Sequence, residues 1–175
     1  MEEMVNSGAA LTGTALAFLG MACAVFFGGT GSAIGLSLAG RAGNGVLTDK
    51  PERYGTQMLL VVLPSSQGIY GLVAALLTLK NMNAFTQGAQ IFELSMTQGW
   101  IVLAGGLAVG ISCLFSGIFQ GKVCAAGILM AAKRPEMATK AGVMYGIFVE
   151  LYALFGFLAW FLIVNNGIDW ASFAG

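Results

Sequence analysis

Apolar residues run with little interruption over about residues 10–40, 56–79, 98–131 and 141–164. Each run reaches the roughly 20 residues that carry a helix across a bilayer. Polar and charged positions gather between the runs and at the ends. The pattern predicts an all-α membrane protein with four transmembrane helices, arranged as two tandem helical hairpins over residues 1–90 and 91–175. The start, Met1-Glu2-Glu3, is acidic, and no small-residue cleavage pattern precedes the second run. The first helix is therefore expected to be a membrane span and not a secretory signal.

Small residues divide the four helices into two kinds. Gly31, Gly35, Ala39 and Gly43 recur every fourth position in the first, and Gly117, Gly121 and Ala125 do so in the third. Such smooth faces let backbones approach closely. The fourth is bulky, with Phe148, Tyr152, Phe155, Phe157, Trp160 and Phe161, as suits a helix facing acyl chains. One arrangement places helices 1 and 3 in an inner layer and helices 2 and 4 in an outer one. A compact four-helix bundle with glycines at its tightest crossings satisfies the same pattern.

Composition narrows the chemistry. Of the 175 residues, 57% are hydrophobic and only 9% charged, which leaves too little polar surface for a water-soluble fold. Eight basic residues balance eight acidic ones and histidine is absent. No electrostatic case for nucleic-acid binding remains, and imidazole catalysis and most zinc or haem sites are excluded. The three cysteines, Cys23, Cys113 and Cys124, lie inside apolar runs and read as small buried hydrophobes. No G-x-x-x-x-G-K-[ST] loop is present, so the chain alone is not expected to hydrolyse ATP.

Charge also orients the spans. Arg41, Lys50, Arg53, Lys133, Arg134 and Lys140 lie in or beside the first and third connections, whereas Lys80 alone lies near the second. The positive-inside rule puts loops 41–55 and 132–140 on the cytoplasmic side and the termini on the other. The hairpins resemble one another. Asp49-Lys50 precedes Pro51-Glu52 as Lys133-Arg134 precedes Pro135-Glu136, and Phe27-Gly28-Gly29 resembles Phe115-Ser116-Gly117. The register differs by four residues, which reads as a longer first loop containing Gly43-Asn44-Gly45. This is a parallel repeat, not an inverted one.

Every acidic residue falls at a terminus or loop except Glu150, inside the last apolar run. A carboxylate there costs roughly 2.5–3.5 kcal/mol on insertion scales, and its default reading is functional. A protonated carboxyl serving as a structural donor is the alternative. Gly142 and Gly146 precede it on the same helical face and leave room for another backbone. Gln120 and Glu150 are equidistant from Pro135, so in an antiparallel hairpin they meet at one depth, roughly 20 Å from the turn at 1.5 Å per residue. Ser66 and Gln67 stand at the same remove from Pro51, and Leu63, Ser66, Gln67 and Tyr70 share one helical face. A lone membrane glutamine often serves as inter-helix glue. The convergence of Glu150, Gln120, Gln67 and Ser66 offers several oxygens, as a hard cation requires. Pro64 loosens the helix there and can free backbone carbonyls. Sodium is thus favoured over a proton, which the carboxyl could also take. Lys122, two residues from Gln120, is turned roughly 200° away from this cluster. It is expected to snorkel to headgroups or to face the interior of an assembly.

Three motifs, Leu63-Pro-Ser-Ser-Gln-Gly-Ile-Tyr-Gly71, Phe115-Ser-Gly-Ile-Phe-Gln-Gly-Lys-Val123 and Phe148-Val-Glu-Leu-Tyr-Ala-Leu-Phe-Gly156, resemble the proteolipid rotor subunit (subunit K, or c) of V-type ATPases. Among these they are most similar to the bacterial sodium-translocating form. The similarity runs from about Gly28 to Phe161. It implies that Glu150 is the ion-carrying carboxylate, with Gln67, Gln120, the Ser66 hydroxyl and the Leu63 carbonyl as the other Na+ ligands and the Tyr70 hydroxyl locking the occupied site. The sodium-type pattern has threonine where Ser66 stands, so this chain keeps the hydroxyl but lacks the methyl group that would pack beside it. The resemblance further implies a homo-oligomeric ring in the bilayer, a stator subunit (a/I) bearing an essential arginine, and a central-stalk subunit (d/C) on the cytoplasmic loops. Because Ser65-Ser66 stands where the repeat would put a second acid, each chain moves one ion.

Three rivals make different demands. A proton-translocating version of the same rotor would be indifferent to sodium. A small drug/proton antiporter would be a compact dimer with an aromatic cavity around its glutamate, and Glu150 has amide neighbours instead. A purely structural pore former would tolerate Glu150→Gln.

Overall fold

The computed structural model describes residues 2–86 and 90–173, with side chains from Thr12 onward. It contains helices α1 (Glu2–Asp49), α2 (Tyr54–Val62), α3 (Ser66–Asn81), α4 (Met96–Lys133) and α5 (Met144–Gly167). Short 3-10 turns cover Pro51–Arg53, Leu63–Ser65 and Trp170–Phe173, and a π turn covers Ala138–Val143. Among the described residues there is no strand. Among the described residues four stretches are long and apolar enough to cross a membrane: Thr12–Asp49, Pro51–Asn81, Met96–Lys133 and Ala138–Gly167. The protein is an all-α, multi-pass membrane protein.

The first connection differs from the expected loop over 41–55. α1 continues through Gly43, Asn44 and Gly45 to Asp49, and Lys50 alone separates it from the turn at Pro51. Glycine costs about 1 kcal/mol in a helix interior, and packing outweighs that here. A Cβ at Gly43 would lie 3.2 Å from Val61 Cγ2, so the glycine lets α2 lie close against α1. Proline is the actual stop. Lys50, at φ −137° and ψ 69°, precedes Pro51, and Arg134, at φ −132° and ψ 81°, precedes Pro135. Both have left the α region, as a residue before proline does. Lys50 Nζ then donates to Ala132 O at 2.7 Å, tying the two loop ends together.

The second span is broken where Pro64 removes an amide hydrogen, leaving the 3-10 turn Leu63–Ser65 between α2 and α3. The amide of Gly68 at the new helix start is taken up from outside: it donates to Ser32 Oγ of α1 at 2.7 Å. α4 begins with a capping box, in which Ser95 Oγ accepts from the Gln98 amide and Gln98 Oε1 accepts from the Ser95 amide.

The two long helices α1 and α4 form the main seam. Gly13 meets Gly99, Gly20 meets Gly106, Gly31 meets Gly117 and Gly35 meets Gly121, always at the same sequence offset, so the helices run parallel in fixed register. A Cβ on Gly31 would stand 2.6 Å from Leu114 Cα, a backbone atom that cannot give way. On the outer faces Phe115, Phe119, Phe148, Tyr152, Phe155 and Leu162 are exposed, as in a chain solvated by lipid. Trp160 departs from the expected lipid-facing set. It is 2% exposed, because Gly105 of α4 opens a space that its ring fills, with Trp160 Cδ1 3.2 Å from where a Cβ would be.

Candidate ion-binding site

The residues singled out in the sequence sit beside the break at Pro64. Glu150 lies on α5 and is half-buried. Its Oε1 accepts a 2.7 Å hydrogen bond from the Tyr70 hydroxyl of α3, and its Oε2 a longer one, 3.4 Å, from Gln120 Nε2 of α4. The same Gln120 nitrogen donates to Gly146 O at 2.9 Å. Gln120 Oε1 accepts from Gln67 Nε2 at 2.6 Å. Three spans thus meet in one chain of polar groups, Gln67 to Gln120 to Glu150 to Tyr70. The depth matching about Pro135 holds for Gln120 and Glu150.

Gln67 and Gln120 are both fully buried. Their amide groups brace one another, yet the brace leaves one acceptor over: among the described residues Gln67 Oε1, which is buried, has no hydrogen-bond partner. An unsatisfied carboxamide oxygen in such a place costs about 1–3 kcal/mol. A cation brought against that oxygen relieves the cost, as does any hydrogen donor that reaches it.

Ser66 Oγ donates to Leu63 O at 3.3 Å, so the hydroxyl and the carbonyl lie together at the 3-10 turn. Among the described residues neither is hydrogen-bonded to Glu150 directly. Of the two small residues that precede Glu150, Gly142 does admit a backbone, with Gly127 Cα 3.6 Å from where its Cβ would be. At Gly146 the neighbours are the side chains of Cys124 and Leu63, and the carbonyl is what the site uses. Lys122 is exposed, with Nζ 4.9 Å from the centre of the Phe119 ring, turned away from Glu150 as its position implied.

Two further residues complete the frame. Ser116 Oγ donates to Val149 O at 2.9 Å and accepts from Gln67 Nε2 at 3.4 Å, joining α4 to the turn that carries Glu150. Its signal in the sequence was its place four residues before Gln120, on the same helical face. Ser32, 6% exposed, holds the start of α3 and thereby Gln67 and Tyr70. Nothing in its local sequence marks it.

Chemically, the site has a single carboxylate surrounded by amide and hydroxyl groups. Among the described residues no three His, Cys, Asp or Glu side chains gather to hold a metal. The donor set therefore suits a hard monovalent cation or a proton, not a transition metal.

The sequence matches the ATP synthase C-subunit family twice, over residues 19–78 and 103–163. It is 42% identical to the V-type sodium ATPase subunit K of Enterococcus hirae over 88% of this chain and 93% of that protein. It is 32% identical to the A-type ATP synthase subunit K of Methanocaldococcus jannaschii over 82% of this chain and 59% of that protein. With the c' subunit of the V-type proton ATPase of Saccharomyces cerevisiae it shares 31% identity over 87% of this chain and 88% of the other. Sodium and proton forms thus both stand among its relatives, and each of these three is a subunit of an ATPase or ATP synthase. With a match that takes in both hairpins and most of all four spans, the chain belongs to the ATP synthase C-subunit family, as a membrane proteolipid of the V/A-type ATPase kind.

Proposed function

We propose that this chain is the ion-carrying rotor subunit of a V-type ATPase and that it binds one Na+ per copy at Glu150. Gln67, Gln120, the Ser66 hydroxyl and the Leu63 carbonyl serve as further ligands, and Tyr70 holds the carboxylate. Residues 1–90 and 91–175 act as two like hairpins. Identical copies form a ring, with α1 and α4 towards its centre and the second and fourth spans towards lipid. The loop ends around Lys50 and Arg134 face the cytoplasm and carry the central stalk. The bound ion neutralises Glu150, so that the site can travel past acyl chains. A stator arginine competes for the carboxylate and releases the ion. ATP hydrolysis in the soluble sector supplies the work.

The observation that carries the choice of cation is the unpartnered, buried Gln67 Oε1 beside the Gln120–Glu150–Tyr70 chain. The likeness to a sodium-type subunit K supports it. The test is carbodiimide modification of Glu150 in the detergent-purified oligomer at neutral pH, with and without sodium. Protection by sodium, with potassium as control, is expected. Labelling that rises as the pH is lowered, because the reagent takes the protonated carboxyl, but ignores sodium would assign the proton form of the rotor instead.

A further inference from the structure

A second buried amide lies outside this site. Gln57 of α2 is 1% exposed, and among the described residues neither its Nε2 nor its Oε1 has a hydrogen-bond partner. It borders a crevice of about 120 Å³ between α1 and α2, lined among others by Gly40, Gly43, Asn44, Tyr54 and Val61. A Cβ on Gly43 would stand 3.5 Å from Gln57 Oε1, so the glycine keeps the space in front of the oxygen open. Gln57 precedes Gln67 by ten positions, roughly 15 Å at the helical rise of 1.5 Å per residue, with the 3-10 turn at Pro64 between them. Met58 to Pro64 are all apolar, and Ser65 and Ser66 lie at the Gln67 end of the interval. The crevice is therefore separate from the ion site.

The occupant must accept from one atom of the amide and donate to the other. A bare cation satisfies only Oε1, an anion only Nε2, and an acyl chain neither. Water satisfies both, and the crevice volume exceeds many times the roughly 10–15 Å³ one water needs. Asn44 and Tyr54 at the rim can extend the hydrogen bonding outward. One turn nearer the loop, Arg53 Nε has no hydrogen-bond partner among the described residues and lies 3.8 Å from the Glu52 carboxylate. We propose that the α1–α2 crevice is a site for ordered water anchored on Gln57, making the loop-side half of this helix pair wet as far as Val61.

The assembled ring, purified in detergent or nanodiscs, provides the test, and sodium plays no part in the readout. In a density map that resolves ordered waters, the wild type should show a water within about 3.2 Å of Gln57 Oε1 or Nε2. Gln57→Leu should lose it while the helices stay in place. Independently, Val61→Cys should react with aqueous Ag+ about tenfold faster than the buried native Cys113 and Cys124, and adding Gln57→Leu should bring that rate back down. Density for a lipid chain or for a side chain of a neighbouring copy in the crevice would overturn the proposal. So would a Val61→Cys thiol no faster than the native pair, or one whose rate ignores Gln57→Leu.

Discussion

Replacing Gln67 by methionine separates a ligand from a brace. The substitution keeps an unbranched side chain of similar volume in a fully buried position. It deletes the donor to Gln120 Oε1 (2.6 Å) and Ser116 Oγ (3.4 Å) together with the unpartnered Oε1. Without sodium, Gln120 Oε1 is left buried without its donor, at about 1–3 kcal/mol, while removing the unsatisfied Gln67 oxygen returns about 1–3 kcal/mol. The two nearly cancel, and the thermal midpoint of the sodium-free ring should stay close to the wild-type value. With sodium, nothing compensates for the missing ligand. Losing the same 1–3 kcal/mol should weaken binding by about 5- to 150-fold, at 1.4 kcal/mol per tenfold. The assay is the sodium concentration that half-protects Glu150 from carbodiimide, read beside a sodium-free melting curve. An unchanged half-protecting concentration in a folded ring would refute the assignment of Oε1 as a ligand. A large fall in sodium-free stability would instead make Gln67 a structural strut.

Glu150→Gln should assemble normally, lose carbodiimide modification and leave the complex unable to couple ATP hydrolysis to ion movement, measured as sodium uptake into proteoliposomes. Gly117→Ala would put a Cβ 2.6 Å from Gly31 C and 2.7 Å from Gly31 O. The helices must then part, at a cost of about 1–3 kcal/mol, seen as a lower melting midpoint. An unaltered midpoint would mean that the α1–α4 seam is looser than described. Ser32→Ala should leave the part-buried Gly68 amide without its acceptor, costing about 1 kcal/mol or more. Hydrogen exchange at the start of α3 should quicken about tenfold or more, with the rest of the ring unaffected.

The four spans were legible because a lipid-solvated helix must be apolar for its whole length, and no other element writes that pattern. Glu150 was legible for the opposite reason, since a carboxylate in that setting is too costly to be incidental. Counting from Pro135 brought Gln120 to it because both flanking helices rise by the same amount per residue. The end of α1 was not legible. Gly43-Asn44-Gly45 carries every local mark of a loop, and only the close approach of Val61 shows why it is helical. Trp160 and Ser32 were hidden in the same way. Whether a ring turns outward to lipid or inward to Gly105, and whether a hydroxyl meets a freed amide two helices away, depends on neighbours distant in the chain.

The matched glycines of α1 and α4 also limit how such a chain can change in length. Adding or deleting one residue between Gly13 and Gly35, without the same change between Gly99 and Gly121, would swing every later glycine about 100° off its counterpart. Methyl-bearing side chains would then be driven into main chain along several turns at once. Length variation is thereby confined to the tips and the connections, and the two long helices can lengthen or shorten only as a pair.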